Sequence, residues 1–373
     1  MPKPRISLIV PVHNAGSTLG KLIESIRQQT FARYEAIFVN DASDDESEQI
    51  VTDAVIRDDR FRLINLKENV GPGCARNRGM ESAKGTYIMF ADADDLLYPT
   101  CFEAAYSRAE AADADIVVYQ ARHWDAETRE SRPSPDRWDP ALFPEVFSGA
   151  QMADCLFTQF KNWPWDKLFR RSFLERNELR FPSLYRSEDL PFTCEALALA
   201  ERIAPLDEEL YRYQVNSATS STSTRDKHPI DFLDACRFFH RFLVGRGLME
   251  TFRADYTRWI GLCVYVNLTE LRTYDAFHEV FDALKHGGLE DFELLGLPDS
   301  AFLDPLHGQI IRAIDAQFFE HFIFDLWRLD ADRAKAYDQI SDQLDQAMNS
   351  TSMKVGRTLV GIPQGIIEAL RSR

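Results

Sequence analysis

The first third of the chain alternates short apolar runs with amphipathic stretches. Ile6-Ser7-Leu8-Ile9-Val10, Ala36-Ile37-Phe38-Val39, Phe61-Arg62-Leu63-Ile64, Tyr87-Ile88-Met89-Phe90 and Ile116-Val117-Val118-Tyr119 are rich in β-branched and aromatic residues, as buried strands are. Between them the pattern predicts helices: one capped by Ser17 and running from Thr18 to about Gln28, one to about Arg57, one through Ala83, and one from near Pro99. This alternation predicts an α/β architecture, a mainly parallel sheet covered by helices. The stretch from Glu127 to Pro144 carries Pro133, Pro135, Pro140 and Pro144 and reads as an irregular excursion. Ser148 and Gln151 then stand at capping-box spacing. From about Ile230 strand signals fade, and Phe232, Cys236, Phe239 and Phe242 recur at helical spacing. The expected organisation is an α/β domain over 1–225, with halves 1–120 and 121–225, followed by an α-helical C-terminal region over 226–373.

Charge narrows the function. A net charge of −16 argues against nucleic acid as a partner, since phosphate backbones need a basic face. A small anionic ligand stays compatible, because a metal ion or a few arginines can reverse the local field. The six cysteines form no CxxC pair and read as free thiols of a reducing compartment. The N-terminus shows no signal-peptide pattern, and no apolar run approaches the ~20 residues of a membrane span. A cytoplasmic protein is the expectation. At the other end, Lys354, Arg357, Arg371 and Arg373 punctuate an apolar tail with Leu359, Ile366 and Leu370, a candidate for peripheral contact with an anionic membrane.

In open α/β sheets ligands gather beyond the carboxyl ends of the strands, so the residues after each strand matter most. They are Pro11-Val12-His13-Asn14, Asn40-Asp41-Ala42-Ser43-Asp44-Asp45, Asn69-Val70-Gly71-Pro72-Gly73-Cys74-Ala75-Arg76, and Asp92-Ala93-Asp94-Asp95. Singly, each has a plainer reading. Asp41 with Ser43 would cap the second helix, Gly71 and Gly73 would make a turn, and His13 would be a polar rim residue. The acidic cluster is harder to explain away. Three carboxylates within four residues repel one another unless a cation offsets them, and Mg²⁺ or Mn²⁺ prefers such oxygens.

Taken together, these strings resemble the family 2 glycosyltransferases, whose nucleotide-sugar fold is called GT-A. The matching segments are Ser7–Asn14, Val39–Asp45, Gly73–Gly79 and Phe90–Asp95, with Trp165–Phe169 and Ser187–Phe192 similar to the bacterial polysaccharide-synthesis branch. The resemblance implies a GT-A-type domain followed by helices. It also implies an inverting, divalent-metal-dependent transferase that moves sugar from a nucleotide-sugar donor, a UDP-sugar, to a glycan or lipid-linked acceptor.

Roles follow residue by residue from that resemblance. Asp41 would read the uracil edge with help from Pro11 and His13, and Arg76 would face the nucleotide or diphosphate. Asp92 and Asp94 would hold metal and ribose, with Asp95 the other candidate ligand. Asp189 would be the general base. Leu190-Pro191 opens a helix there, whose positive end favours an ionised carboxylate; a helix cap is the plainer role for the same position. Glu188, Trp163 and Trp165 are acceptor-side candidates. Two positions depart from the family: Ala42 stands where Gly is usual, a mild change if that backbone is not at positive φ, and Gln214 stands where an Arg often follows Tyr211-Arg212-Tyr213. A nucleotidyltransferase would carry a Lys- and Gly-rich loop after the first strand, which this chain lacks. An inactive sugar-binding relic would have lost carboxylates that are present here.

Overall fold

A computed structural model of the chain describes residues 3–125, 127–215, 225–317, 319 and 322. The chain divides into two compact units, 1–315 and 316–373, and the basic apolar tail lies outside the described residues.

The strands and helices of the first half are β1 (Ile6–Val12), α1 (Gly16–Arg27), β2 (Tyr34–Asn40), α2 (Ser47–Arg57), β3 (Phe61–Asn65), α3 (Pro72–Ser82), β4 (Tyr87–Phe90), β5 (Leu96–Leu97), α4 (Cys101–Ala112), β6 (Ile116–Asp125) and β7 (Ser131–Pro133). There follow α5 (Leu156–Gln159), β8 (Lys167–Arg170), α6 (Arg171–Arg176), α7 (Asp189–Leu199) and β9 (Ile203–Val215). Beyond these the described residues form helices: α8 (Asp231–Gly245), α9 (Met249–Thr269), α10 (Tyr274–Ala283) and, after short turns, Pro305–Ala316.

One sheet runs β3-β2-β1-β4-β8-β6-β9-β5, with β7 added to β6. Strands β3, β2, β1 and β4 are mutually parallel, as the βα repeats require. Strand β8 enters antiparallel between β4 and β6, while β9 runs parallel to β6 over its whole length. The sheet is buried on both faces. Ile6, Leu8 and Val10 pack in the same core as Leu19, Leu22 and Phe102, and Ile9 on the other face meets α3 at Gly79, where a Cβ would come within 2.3 Å of the Ile9 side chain.

Two local expectations are corrected. Ser17 lies inside α1, which begins at Gly16 and has no side-chain cap of its own. Its first amides are satisfied from across the site instead: Ala15 N–H donates to Ser47 Oγ (2.9 Å) and Gly16 N–H to Asp45 Oδ2 (2.8 Å). The condition for a mild change at Ala42 is not met: the residue sits in the left-handed region at φ 53°. The capping box at Ser148 and Gln151 is present, opening a short 3₁₀ turn rather than a long helix. All six cysteines are free thiols. Among the described residues no helix is long and apolar enough to cross a membrane.

Candidate active site

The loops that follow β1, β2, β3 and β4 meet at one rim because these strands are parallel neighbours. Asp41 follows β2 and is buried. Its carboxylate accepts the backbone N–H of Val70 (2.8 Å) and Gly71 (2.9 Å), so it orders the loop before α3 rather than capping α2. Gly71 is required there, at φ 86°. Exposed His13 stands beside it: Nδ1 lies 2.8 Å from the Asp41 carbonyl, and Nε2 lies 3.2 Å from the Asn69 amide. Pro11, half-buried, pairs with Val39 in the sheet just below. Asn14, Ala42 and Ser187 all have positive φ, so left-handed backbone gathers on the loops of this rim.

Arg76 organises the centre. It is buried on α3, donates from Nη1 to Glu188 Oε1 (2.6 Å) and from Nη2 to Asp92 Oδ1 (2.7 Å), and lies over the Phe181 ring. One guanidinium thus joins the acidic turn after β4 to the start of α7. Burial works against its charge, but Asp92 and Glu188 outweigh that and raise its pKa. The approach is close: a Cβ on Gly73 would come within 2.8 Å of Glu188 Cγ and 2.9 Å of the Pro182 carbonyl.

Asp189, Glu188 and Asp94 are pushed toward protonation. Burial, then Glu188, lifts Asp189 to about 7, against the pull of Arg76. The helix terminus that favours the ionised form is therefore outweighed by desolvation. Burial also raises Glu188, with Arg76 opposing. Asp94, half-buried, rises to about 6 through burial and then the neighbouring Asp92. Asp95 is fully buried, and both its oxygens are engaged inside the protein: Oδ2 accepts from the Tyr211 hydroxyl (2.8 Å) and Oδ1 from the Gln214 N–H (2.7 Å). Of the three acids, Asp92 and Asp94 are the two left partly exposed.

Trp163 and Trp165 belong to an aromatic stack. Trp165 is buried, with Tyr211 at 4.6 Å and Trp163 at 4.7 Å, and Tyr213 lies nearly parallel at 5.2 Å. Trp163 is the partly exposed member beyond it. The segment is pinned from below by Lys167, fully buried, whose Nζ donates to the carbonyls of Lys161 (2.7 Å) and Trp163 (2.8 Å) and to Asp166 Oδ1 (2.5 Å). Sequence pattern alone gives Lys167, Tyr211 and Tyr213 no site role. The Tyr-x-Tyr spacing was the available signal, since alternate residues of a strand share a face.

No cluster of three metal-ligating side chains stands preformed among the described residues. Asp92 and Asp94 fit a divalent cation through their chemistry: two hard oxygen donors, close enough that Asp92 raises the proton affinity of Asp94.

The comparisons accord with this geometry. The model of the family described as Glycosyl transferase family 2 matches residues 7–177. An uncharacterized glycosyltransferase, EpsJ, of Bacillus subtilis is 36% identical over 215 residues, covering 57% of this chain and 62% of that one. The succinoglycan biosynthesis protein ExoO of Rhizobium meliloti is 32% identical over 235 residues, covering 62% of this chain and 66% of its own. The chain thus spans somewhat under two thirds of these relatives. The crystal structure of S. aureus TarS 1–349 in complex with UDP superposes with a TM-score of 0.62 at 22% identity, over 83% of this chain and 88% of that one, a likeness of fold. Over residues 7–177, which carry the parallel strands and the acidic rim, the chain matches glycosyl transferase family 2, and its fold is GT-A-like with a helical C-terminal region.

Proposed function

We propose that this protein is an inverting, metal-dependent glycosyltransferase that uses a nucleotide-sugar donor, a UDP-sugar, and glycosylates a hydroxyl of a glycan or lipid-linked acceptor in polysaccharide synthesis. The catalytic domain would be 1–225, with 226–373 as its helical appendage. One observation carries the reading: Arg76 bridges Asp92 and Glu188, so the donor-side acids and the Glu188-Asp189 pair lie within the reach of one guanidinium. The names of the relatives and the UDP bound to TarS support the donor and pathway.

Asp41, Pro11 and His13 would hold the base, and Arg76 would keep Asp92 in place beneath the ribose and diphosphate. A divalent ion, Mn²⁺ or Mg²⁺, held by Asp92 and Asp94 would supply charge neutralisation for the departing diphosphate. Asp189 takes the acceptor hydroxyl proton. The acceptor oxygen then bonds to the anomeric carbon from the face opposite the donor, and the C–O bond breaks with its electron pair leaving on the nucleoside diphosphate, which inverts the centre. A carboxyl pushed up to about 7 suits a base working near neutrality. Partly exposed Trp163 would stack on an acceptor sugar.

The test is Asp189→Asn, which keeps shape and removes basicity. UDP binding should survive while transfer, read as UDP release from UDP-sugars with Mn²⁺, falls by roughly 10²–10⁴-fold. Near-normal transfer in Asp189→Asn beside a dead Glu188→Gln would show the base misassigned.

A further inference from the structure

The acidic turn after β4 is tied to a strand more than a hundred residues away. The Tyr211 hydroxyl accepts the Asp92 backbone N–H (3.1 Å) and donates to Asp95 Oδ2 (2.8 Å). Asp95 Oδ1 accepts the Gln214 N–H (2.7 Å), and β5, directly after the turn, pairs with β9 at Leu96↔Arg212 and Leu97↔Tyr211. Tyr211 and Asp95 are both fully buried, and the Tyr211 ring is backed by Trp165, whose own carbonyl accepts the Tyr119 hydroxyl (2.6 Å). A phenol held this rigidly fixes the backbone of the first acid and the side chain of the third at once.

We propose that Tyr211 and Asp95 are a positioning pair: they set the backbone of the Asp92–Asp94 turn, and so its grip on a divalent cation with a nucleoside diphosphate, while Asp95 itself ligates nothing. The proposal rests on the metal reading of Asp92 and Asp94. Two partly exposed carboxylates repel each other, and a turn carrying them splays unless its backbone is held. Positions must be kept to within about half an ångström for a site to bind well, and the side chains that do so stand behind the ligands. Asp95 meets that description: its two oxygens are spent on β9 rather than turned outward.

The full-length chain tests this with two kinds of readout. In metal-free protein, Tyr211→Phe keeps the stacked ring but frees the Asp92 amide, whose hydrogen exchange should become faster. Calorimetry of UDP with and without Mn²⁺ should then show the Mn²⁺-dependent gain in affinity falling by the roughly 10–100-fold typical of a lost outer partner. Affinity for UDP alone should be unchanged. Asp95→Asn can still accept from Gln214 and donate to Tyr211, so it should keep most of the gain, whereas Asp94→Asn should lose it. Loss in Asp95→Asn as complete as in Asp94→Asn would make Asp95 a ligand and overturn the proposal, as would an unchanged Mn²⁺-dependent affinity in Tyr211→Phe. If Asp94→Asn itself leaves that affinity unchanged, the metal reading fails with it; a loss in Asp94→Asn without one in Tyr211→Phe removes the positioning role alone.

Discussion

At the scale of single residues, the site holds Asp94 in a state that works against the fold. Asp94 is lifted from the ordinary carboxyl range to about 6 by burial and by Asp92. A carboxyl whose folded pKa is raised destabilises the protein once ionised: the penalty is absent below about pH 4, grows as pH rises, and is complete above about pH 6. Asp94→Asn should therefore stabilise the ligand-free protein at pH 7.5 by about 1–3 kcal/mol, and the gain should vanish near pH 4. With Mn²⁺ and UDP present the order should reverse, because ligand binding then stabilises only the wild type. Thermal melts at the two pH values, with and without ligand, check all three statements; a variant less stable at pH 7.5 without ligand contradicts the argument. Residues of this kind were partly legible. Asp41, Asp92 and Asp94 could be singled out because each follows a strand. The partnership of Arg76 with Glu188 could not, because 112 positions separate them and only the packing of α3 against the start of α7 brings them together.

At the scale of elements, sequence pattern served where structure is local. The four βα units were readable because each strand is a short apolar run buried between helices. Strands β8 and β9 were not: Lys167 and Arg170 bracket the first, Asp207-Glu208-Glu209 interrupts the second, and the hydrogen-bonding partners of both are remote. The turn between β2 and α2 shows the reverse, a local feature hidden by residue type. Ala42 holds φ 53°, where a Cβ crowds the following carbonyl, and the neighbouring Asn40 side chain fixes the loop by accepting the Ser43 N–H (3.2 Å). Glycine relieves that strain but adds freedom to the unfolded chain, so Ala42→Gly should stabilise by about 0.5–1 kcal/mol net. Urea unfolding would read it as a raised midpoint at unchanged slope. A lowered midpoint would mean that the Ala42 methyl group contributes packing that outweighs the strain.

At the scale of the whole molecule, the question is whether the strand-bearing half is self-sufficient. The change from strands to helices between Val215 and Asp231 suggests a boundary near 225, yet contacts across it are of core type. Phe157 on α5 packs against Phe239 (4.9 Å), Phe252 (5.2 Å) and Trp259 (6.5 Å) of α8 and α9. Asp255, buried on α9, accepts the Phe157 N–H (2.6 Å) and the Thr158 hydroxyl (2.7 Å), and Asp231 accepts the Arg186 N–H (3.1 Å) in the loop before Asp189. Helix α7, which begins with Asp189, buries Leu190, Phe192, Cys194 and Leu197, too many sides for a helix with one open face. Removing residues 226–373 would uncover Phe157 and α7 together. Losing large buried aromatic contacts costs several kcal/mol, comparable to the whole stability of many domains. A chain of residues 1–225 should therefore be insoluble or lack a cooperative melt, whereas a chain ending at 317 keeps every contact named here and should unfold cooperatively and bind UDP. Expression of both, followed by calorimetry, decides the matter: a soluble 1–225 chain with a sharp transition would show that the helices are an appendage rather than the outer wall of the strand-bearing core.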